Sequence, residues 1–386
     1  MTPGAHVAAA IEIIDRILAG ETADRALIGW TRRSRFAGSK DRAAIRDLVF
    51  SVLRRRRSAA AMGGACTCRG LLIGLMRQDG VDLGAVFSGQ GYAPAPVSPE
   101  EFGAPWEALS PAVQADVPDW VYDKIEPSRR DAVWSVLRQR APVFARVNRR
   151  AGSPEDAIRM LADDGVQAVP HQKVMNALEV VGNARRLKQS AAYLDGLIEL
   201  QDASSQALSD LVPIPEGGRI LDFCAGGGGK TLAMAARVEA SFFAHDIAPG
   251  RMVDLPSRAK RAGVEVTVVN DVIGKFDTVV CDVPCSGSGS WRRNPEGKWT
   301  LTPEQLAELV STQANILDEA ADLTAPGGTL AYATCSIFAE ENGAQIAAFL
   351  SRNPSFVLRE EHYFEPSSKG DGFYLAILGE AEPAVA

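Results

Sequence analysis

Two cysteines lie in segments whose composition suits chemistry better than packing. Cys285 lies in residues 281–289 (CDVPCSGSG), and Cys335 lies in residues 333–336 (ATCS). Most buried free cysteines act as small hydrophobic residues, but a thiol surrounded by Pro, Gly and Ser at the end of an apolar run is not typical of a core. A thiol whose pKa is lowered can act as a nucleophile. We therefore expect covalent catalysis near these segments, and the residues alone do not decide which cysteine attacks.

A glycine-rich segment indicates a second function, ligand binding. Residues 220–231 (ILDFCAGGGGKT) run from an apolar stretch through four glycines to Lys230 and Thr231. The spacing fits neither a P-loop, which would need a glycine at Cys224, nor the dinucleotide fingerprint, which would need one at Thr231 or Leu232. We therefore expect a loop that approaches a nucleoside rather than a phosphate group.

Three acidic residues support the nucleoside interpretation. Asp222, Asp246 and Asp271 each lie at the end of a predicted strand. An acid at such a position can bind ribose hydroxyls, as Asp246 would, and Asp271 could accept a hydrogen bond from an adenine amine. Each acid alone could be a helix N-cap, but three in succession favour a nucleoside pocket.

The elements that must position these residues alternate between strand and helix from about Gln201 onward. This alternation predicts a parallel, doubly wound sheet, in which ligands bind beyond the carboxyl ends of the strands. Helical patterns such as 303–323 and 341–351 separate the strands. The predicted strands are 219–223, 241–245, 265–269, 278–281, 328–333 and 372–378.

Two further domains precede this one. Apolar residues at helical spacing and few β-branched runs predict an all-α domain over residues 1–137. Residues 138–200 mix short strand-like and helical patterns and predict a small α/β module. The third domain, with the glycine loop and both cysteine segments, is expected to span residues 201–386.

The charge is distributed unevenly along the chain. Residues 1–150 hold 22 Lys and Arg against 16 Asp and Glu, a balance of +6, whereas residues 151–386 hold 19 against 32, a balance of −13. The sharpest basic cluster is the run Arg54-Arg55-Arg56-Arg57, which is either a solvated helix end or a phosphate-binding surface. The basic front region is therefore a candidate for contact with nucleic acid.

Other classes of protein are disfavoured by composition. The six cysteines are sparse for 386 residues, which argues against a disulfide framework, and Cys66 and Cys68 lack the further ligands of a zinc site. No apolar run approaches the roughly 20 residues of a membrane-spanning helix, and the first residues lack the basic start of a secretory signal. We expect a soluble, cytoplasmic monomer without metal or membrane contact.

The cysteine and glycine segments together resemble the Nol/Nop/Sun family of RNA cytosine-C5 methyltransferases, which use S-adenosylmethionine (AdoMet). The resemblance is specific over about 201–375 and weaker over 1–200, where the front helices are similar to the NusB-like domain of the bacterial RsmB (Fmu/Sun) subfamily. Besides the three segments above, it rests on residues 201–206, Asp246 with Arg251, residues 292–295 with Trp299, residues 371–374, and, in the front helices, residues 41–42 and 48–54.

The resemblance implies an AdoMet-dependent enzyme that forms 5-methylcytosine in RNA, above all in 16S ribosomal RNA, with a Rossmann-like catalytic domain and a NusB-like RNA-binding domain. It implies that Cys335 attacks cytosine C6, that Cys285 assists product release, and that Asp282 holds N3 and N4 of the base beside Lys230. Arg292 and Arg293 become candidate RNA contacts. The residues expected to bind the cofactor are Cys224, Ala225, Gly226, Gly227, Gly228, Gly229, Lys230, Asp246, Arg251, Asp271 and Asp282.

The chain departs from the family pattern in three places. Gly227 replaces the proline of the usual Ala-Pro-Gly-Gly-Lys loop, Val283 replaces alanine before Pro284, and Pro256 interrupts the helix expected after Asp246. Two alternatives remain open: cytosine-C5 methylation of tRNA or another RNA, and a non-catalytic RNA-binding factor in ribosome assembly. In the DNA enzymes related to this family the Pro-Cys cysteine attacks, so Cys285 is a rival nucleophile.

Overall fold

The computed structural model describes residues 1–381, which form two compact units. Unit 1 comprises Met1–Arg140 together with Trp291–Thr300, and unit 2 comprises Ala141–Ser290 together with the chain from Leu301 onward. The last five residues of the predicted third domain, 382–386, lie outside the described residues.

The α-helices of the described chain are α1 Pro3–Leu18, α2 Ala23–Arg33, α3 Ser39–Arg54, α4 Arg56–Gly63, α5 Cys68–Gln78, α6 Leu83–Val86, α7 Pro111–Ala115, α8 Asp119–Tyr122, α9 Pro127–Leu137, α10 Pro154–Asp163, α11 Ala191–Leu194, α12 Ala203–Leu211, α13 Gly229–Ala235, α14 Leu255–Ala262, α15 Gly297–Thr300, α16 Pro303–Leu323 and α17 Gly343–Arg352. Short 3₁₀ turns lie at Trp106–Ala108, Ala184–Gln189, Pro249–Met252, Ser288–Ser290 and Ala339–Glu341. The strands are β1 Val143–Val147, β2 Gln167–Pro170, β3 Ala177–Gly182, β4 Ile198–Leu200, β5 Arg219–Asp222, β6 Ser241–Ala244, β7 Thr267–Val268, β8 Phe276–Asp282, β9 Thr324–Thr334, β10 Phe356–Phe364 and β11 Phe373–Glu380.

Unit 1 is helical, as its apolar spacing predicts. Helix α1 begins after Thr2, whose side chain accepts a hydrogen bond from the Ala5 amide, and Pro3 occupies its first position. Its apolar stripe, including Val7, Ile13 and Ile14, is buried in a core shared with α2, α3 and α5.

Helices α4 and α5 approach each other unusually closely, through two glycines. A Cβ on Gly74 would lie 1.8 Å from the Ala59 carbonyl oxygen, and one on Gly63 would lie 1.8 Å from the Gly70 carbonyl oxygen. Such distances are possible only without side chains, so these glycines set the spacing of the two helices.

Residues 291–300 belong to unit 1 and are fixed to the end of α3. The Arg54 Nε donates to the Arg292 carbonyl at 2.8 Å, the Lys298 Nζ donates to the Arg54 carbonyl at 2.6 Å, and the Trp299 indole donates to the Leu53 carbonyl at 2.7 Å. The bonds from Lys298 and Trp299 satisfy carbonyls that the end of α3 leaves without an intrahelical partner.

Unit 2 contains two sheets. The smaller is antiparallel, in the order β2-β3-β1-β4, and lies within the residues predicted as an α/β module. The larger has the order β10-β11-β9-β8-β5-β6-β7, and its neighbours from β9 to β7 are parallel, as the alternation of strand and helix predicts. Apolar side chains on both faces of this sheet form its core.

The expectation of a wholly parallel sheet is wrong at one edge. Strand β11 is antiparallel to both β9 and β10. The short connection over residues 365–372 cannot hold the crossover that a parallel pair requires, so β10 and β11 form an antiparallel pair. The concern about Pro256 is also resolved, because Pro256 lies in the first turn of α14, where a missing amide hydrogen costs nothing.

The close packing of α4 on α5 predicts the effect of a small change. Gly74→Ala should lower the stability of unit 1 by roughly 1–3 kcal/mol, because the new methyl group has no room. All six tryptophans lie in unit 1. The urea midpoint of tryptophan fluorescence therefore measures this unit.

Gly84→Ala, in helix α6 of the same unit, is the matched control, since the nearest atom to a Cβ there is the Asp82 Oδ1 at 3.4 Å, an ordinary van der Waals contact. Its fluorescence midpoint should equal that of the unaltered protein. Equal midpoints for Gly74→Ala and the unaltered protein would refute the proposed contact.

Candidate active site

The cysteine segments follow two neighbouring parallel strands. In the β8–β9 pair, Asp282 lies opposite Ala333, so the two strands end at the same level. Cys285 comes three residues after Asp282, and Cys335 comes two residues after Ala333. The register of the sheet therefore brings both loops to one edge, as the sequence predicts.

The two thiols are in direct contact. The Sγ atoms of Cys285 and Cys335 are 3.4 Å apart, and both cysteines are free. The hydrogen bond between them lowers the pKa of Cys335, and Lys230 and Ser290 act in the same direction against the effects of burial and Asp282. The same bond, with burial, raises the pKa of Cys285 well above that of a free thiol. The two pKa values are therefore shifted in opposite directions, which favours the thiolate on Cys335 over that on Cys285.

An ion pair lies beside the thiols. The Lys230 Nζ, at the start of α13, donates to the Asp282 Oδ2 at 2.6 Å, and the two side chains are 11% and 32% exposed. Burial by itself would lower the pKa of Lys230, but Asp282, with smaller effects from Cys335 and Asp222, raises it above its usual value. The lysine is therefore a fixed positive charge at this edge of the sheet.

A buried carboxylate connects the two cysteine loops. The Glu341 side chain is fully buried and accepts hydrogen bonds from Ser286, next to Cys285, and from Ser336, next to Cys335, both at 2.5 Å. It also accepts from the Ser286 amide at 2.8 Å and from the Gln313 side chain at 3.0 Å. Four donors therefore converge on the two oxygens of this one side chain.

Sequence analysis missed this residue. Its signal was available, because each cysteine is followed directly by a serine and Glu341 comes five residues after the second serine. A lone acid before a helix is normally a cap or a solvated residue, so only its burial reveals its function.

The glycine segment forms an open cradle after β5. Gly226 and Gly228 have φ of +53° and +77°, and a Cβ on Gly228 would lie 2.2 Å from the Leu255 Cδ1. A Cβ on Gly229 would meet no described atom within 4 Å. The loop therefore keeps a face free for a ligand to approach its backbone.

The acids next to this cradle differ in their surroundings. Asp222 is buried at the end of β5, where its Oδ2 accepts from Thr231 at 2.6 Å and its Oδ1 has no partner among the described residues. Burial raises the pKa of Asp222 to about 7. Asp246 is also buried, and its Oδ2 accepts from the Gly226 amide at 2.9 Å and from Arg251 at 3.0 Å. A cradle without side chains and an orphaned acceptor fit a nucleoside-bearing cofactor.

The other residues predicted to bind a cofactor are placed differently. Ala225 and Gly227 belong to the cradle. The backbone amide of Ala225 donates to the His245 carbonyl at 2.8 Å. Burial raises the pKa of the Cys224 thiol above the usual range, which disfavours its thiolate form. Asp271 is exposed and lies three residues beyond the end of β7.

The prediction of Arg292 as an RNA contact does not fit the structure. Arg292 lies in unit 1 and is only 1% exposed, held there with the segment bonded to α3. A positive charge is normally found at the surface, but the Arg292 side chain is buried within unit 1. Arg293 is exposed.

Neither a metal centre nor a simple membrane span is found in residues 1–381. No three His, Cys, Asp or Glu side chains of this range are grouped so that they could hold a metal ion. No single helix of this range is long and apolar enough to cross a membrane. Helices α4 and α5, which meet at an angle of 95°, are long and apolar enough only when they are taken together.

Known proteins match the chain in sequence. Residues 211–378 match the family described as 16S rRNA methyltransferase RsmB/F, and residues 117–185 match the RsmF/B-like ferredoxin-like domain. Proteins named ribosomal RNA small subunit methyltransferase B, from Salmonella arizonae and Citrobacter koseri, are 33% identical over 282 residues. These alignments cover 68% of this chain and 66% of each relative's length.

Solved structures share the fold. The protein PH0851 aligns over 98% of this chain and 99% of its own, with a TM-score of 0.77 and 22% identity. NSun6 from Pyrococcus horikoshii, solved with SFG, aligns over 69% of this chain and 97% of its own, with a TM-score of 0.61 and 16% identity. The structural likeness concerns the fold alone. The sequence matches show that the chain belongs to the RsmB/F methyltransferase family.

Proposed function

We propose that this protein is an AdoMet-dependent methyltransferase that forms 5-methylcytosine in 16S ribosomal RNA. The observation that carries the proposal is the contact between the thiols of Cys285 and Cys335, 3.4 Å apart beside the Lys230–Asp282 pair. The names of the curated relatives, which match over 66% of their length, support ribosomal RNA as the substrate.

The chemistry explains why two thiols are needed. Cytosine C5 is a poor nucleophile until a thiolate adds to C6, which breaks the aromaticity of the ring and places an electron pair at C5. Bound AdoMet would supply the electrophilic methyl group that C5 takes. The C5 proton must then leave, and its electron pair restores the double bond as the C6–S bond breaks.

Cys335 is the nucleophile in this scheme, because its neighbours favour the thiolate. The thiolate is the reactive form of cysteine, so the hydrogen bond from Cys285 and the charge of Lys230 prepare it for attack. Cys285 is protonated while that thiolate exists.

Cys285 gains its function once the adduct forms. The largest cause that raises its pKa is the hydrogen bond with Cys335, and the charge of Cys335 adds to it. Both causes disappear when the Cys335 sulfur is bonded to C6, so the pKa of Cys285 falls. Its thiol can then lose its proton to solvent, and the resulting thiolate accepts the C5 proton as the C6–S bond breaks, which is the release step.

Asp282 would orient the base, and Lys230 would compensate the negative charge that develops during the reaction. Lys230 occupies the Asp282 Oδ2, which leaves the Oδ1 to accept a hydrogen bond from the N4 amine of cytosine. The carboxylate would thereby hold the N3–N4 edge of a base that has left its stack. Lys230 compensates the negative charge that develops on the ring and on sulfur.

The cofactor would lie on the glycine cradle. The backbone of residues 225–229 and the orphaned acceptor of Asp222 face it, and the buried Asp246 could accept from a ribose hydroxyl where the exposed Arg251 now donates. The remaining domain assignments belong to the same proposal: residues 1–137 as a NusB-like RNA-binding domain, 138–200 as a small module, and 201–386 as the catalytic domain.

Glu341 acts as a positioning residue. It touches neither sulfur, but its Oε2 accepts from the hydroxyls of both Ser286 and Ser336, each adjacent to a cysteine. The sulfur–sulfur distance therefore depends on one carboxylate that both loops share.

The proposed product and the two cysteines can be tested together. The protein with AdoMet should protect one cytosine of a 16S rRNA transcript from bisulfite conversion and leave tRNA unchanged. With the same transcript, Cys285→Ala should accumulate a covalent protein–RNA adduct on a denaturing gel, because methylation occurs but release does not.

Cys335→Ala and the double variant should give no adduct, and the exposed Cys66→Ala should behave like the unaltered protein. An adduct with Cys335→Ala but not with Cys285→Ala would exchange the two functions. Protection of tRNA alone would overturn the assignment of ribosomal RNA.

Lys230→Met should make the Cys335 thiol less acidic. Removing the positive charge leaves Asp282 uncompensated, and both changes raise the pKa of Cys335, so less thiolate exists at neutral pH. The alkylation rate of Cys335, followed by peptide mass spectrometry, should rise at higher pH than in the unaltered protein, and kcat should fall by about 10²-fold or more. The exposed Lys260→Gln is the control; an unchanged pH profile in Lys230→Met contradicts the electrostatic coupling.

Glu341→Gln should separate catalysis from binding. The amide keeps the size of the side chain but loses two acceptor positions, so the cysteine loops lose their shared anchor. We expect kcat to fall by about 10- to 100-fold with an unchanged KM for AdoMet, and slower adduct formation in the Cys285→Ala background. The exposed Glu308→Gln should change neither quantity. Equal losses in both Glu variants, or a change only in melting temperature, would argue against positioning.

A further inference from the structure

The run of four arginines at residues 54–57 is not used by the proposed reaction. Arg54 and Arg55 line a cavity of about 730 Å³ within unit 1, at the end of α3. Further lining side chains come from α5 and from the end of α9, namely Arg77, Arg138 and Arg140. We propose that this cavity binds phosphate groups of the RNA substrate; the choice of RNA rests on the function proposed above.

The cations of the cavity outnumber the acids that pair with them. Arg55 forms two hydrogen bonds with Asp79, at 2.6 and 3.0 Å, Arg138 pairs with Asp116 at 2.6 Å, and Arg140 pairs with Asp47 at 3.1 Å. Three of the five positive charges thus have carboxylate partners. The remaining two, on Arg54 and Arg77, make their hydrogen bonds to backbone carbonyls, so a surplus of positive charge remains in the cavity.

Arg54 has donors left for a ligand. Its Nε donates to the Arg292 carbonyl, and its two terminal nitrogens make no hydrogen bond within residues 1–381. Arg77 gives both terminal nitrogens to the carbonyls of Met62 and Glu101 and supplies charge alone. A phosphate oxygen accepts well from such a guanidinium.

Burial is the main cause that shifts the pKa of nearby cationic groups, and neighbouring positive charge adds to it. Burial, with Arg140 and Arg55, lowers the pKa of Arg54 to about 10. Burial, with Arg138 and Arg54, lowers the pKa of Lys298 to about 7, although Asp116 acts in the opposite direction. An anion in the cavity would relieve this repulsion.

The lining favours RNA over an acidic protein segment. Trp106 lies on the cavity wall, with the Arg138 guanidinium 4.7 Å from its ring centre. An aromatic ring among arginines can take a nucleobase by stacking while the guanidinium groups hold the backbone. The volume is within the range of ordinary ligand pockets, which admits a nucleotide unit.

The test uses the full chain and a labelled single-stranded fragment of 16S rRNA, with binding followed by fluorescence anisotropy in the absence of AdoMet. Arg140→Gln is the mildest change, because this side chain is 61% exposed and its ion pair is worth little. Arg140→Gln and Arg55→Gln should each weaken binding by roughly 3- to 10-fold and reduce the salt slope of log K by about 1.

Two variants exclude loss of folding as the cause. Asp79→Asn removes the acid that neutralises Arg55, so it should tighten binding, a gain that a misfolded protein cannot give. Arg33→Gln alters an exposed arginine of unit 1 that pairs with Glu12 outside the cavity, and it should leave the affinity unchanged.

The outcomes are distinct. The proposal is supported if the RNA affinity falls in Arg55→Gln and Arg140→Gln, rises in Asp79→Asn and does not change in Arg33→Gln. This holds whether or not the protein methylates the fragment. Equal losses in all three arginine variants would overturn it in favour of diffuse surface attraction. Arginine-dependent binding of AMP, with RNA affinity unaffected, would overturn RNA as the source of the phosphate. Methylation of the fragment together with an RNA affinity that no cavity variant changes would overturn the inference and leave the proposed function intact.

Discussion

The parallel pairing of β8 with β9 is the constraint on which the site depends. Because Asp282 lies opposite Ala333, two loops from distant parts of the sequence begin at the same level of the sheet. Glu341 then joins the loops through Ser286 and Ser336. Neither loop could hold its thiol at 3.4 Å from the other without this register, since a shift of one residue would move one sulfur by about 3.3 Å.

The electrostatics of the site shift the pKa values of two chemically identical thiols, Cys285 and Cys335, in opposite directions. The hydrogen bond with Cys285 and the positive charge of Lys230 lower the pKa of Cys335, whereas the same bond, burial and the nearby carboxylate of Glu341 raise the pKa of Cys285. The difference is not a property of either residue alone. It would reverse during the proposed reaction, when the sulfur of Cys335 becomes neutral in the adduct.

Much of the site could be predicted from sequence because it follows strand ends. Cys285, Cys335, Asp282 and Lys230 all lie directly after an apolar strand or in the turn that follows it, so the parallel fold brings them together. Arg292 could not be placed, because its charge gives no sign that residues 291–300 pack against α3. Strand β10 was missed because it is an edge strand with the polar run Arg359–His362, which lacks the apolar pattern of the inner strands. Glu341 and the glycine contact of α4 with α5 depend on tertiary burial, which no local pattern encodes.

The central claim is that the sulfur of Cys335, not of Cys285, bonds to the pyrimidine ring. An RNA fragment with 5-fluorocytidine at the target position tests it in the unaltered protein, because fluorine cannot leave C5 as a proton does and the adduct cannot be released. Peptide mass spectrometry of the trapped complex should find the nucleotide on the peptide that contains Cys335. A nucleotide on the Cys285 peptide, or no covalent complex at all, would contradict the account.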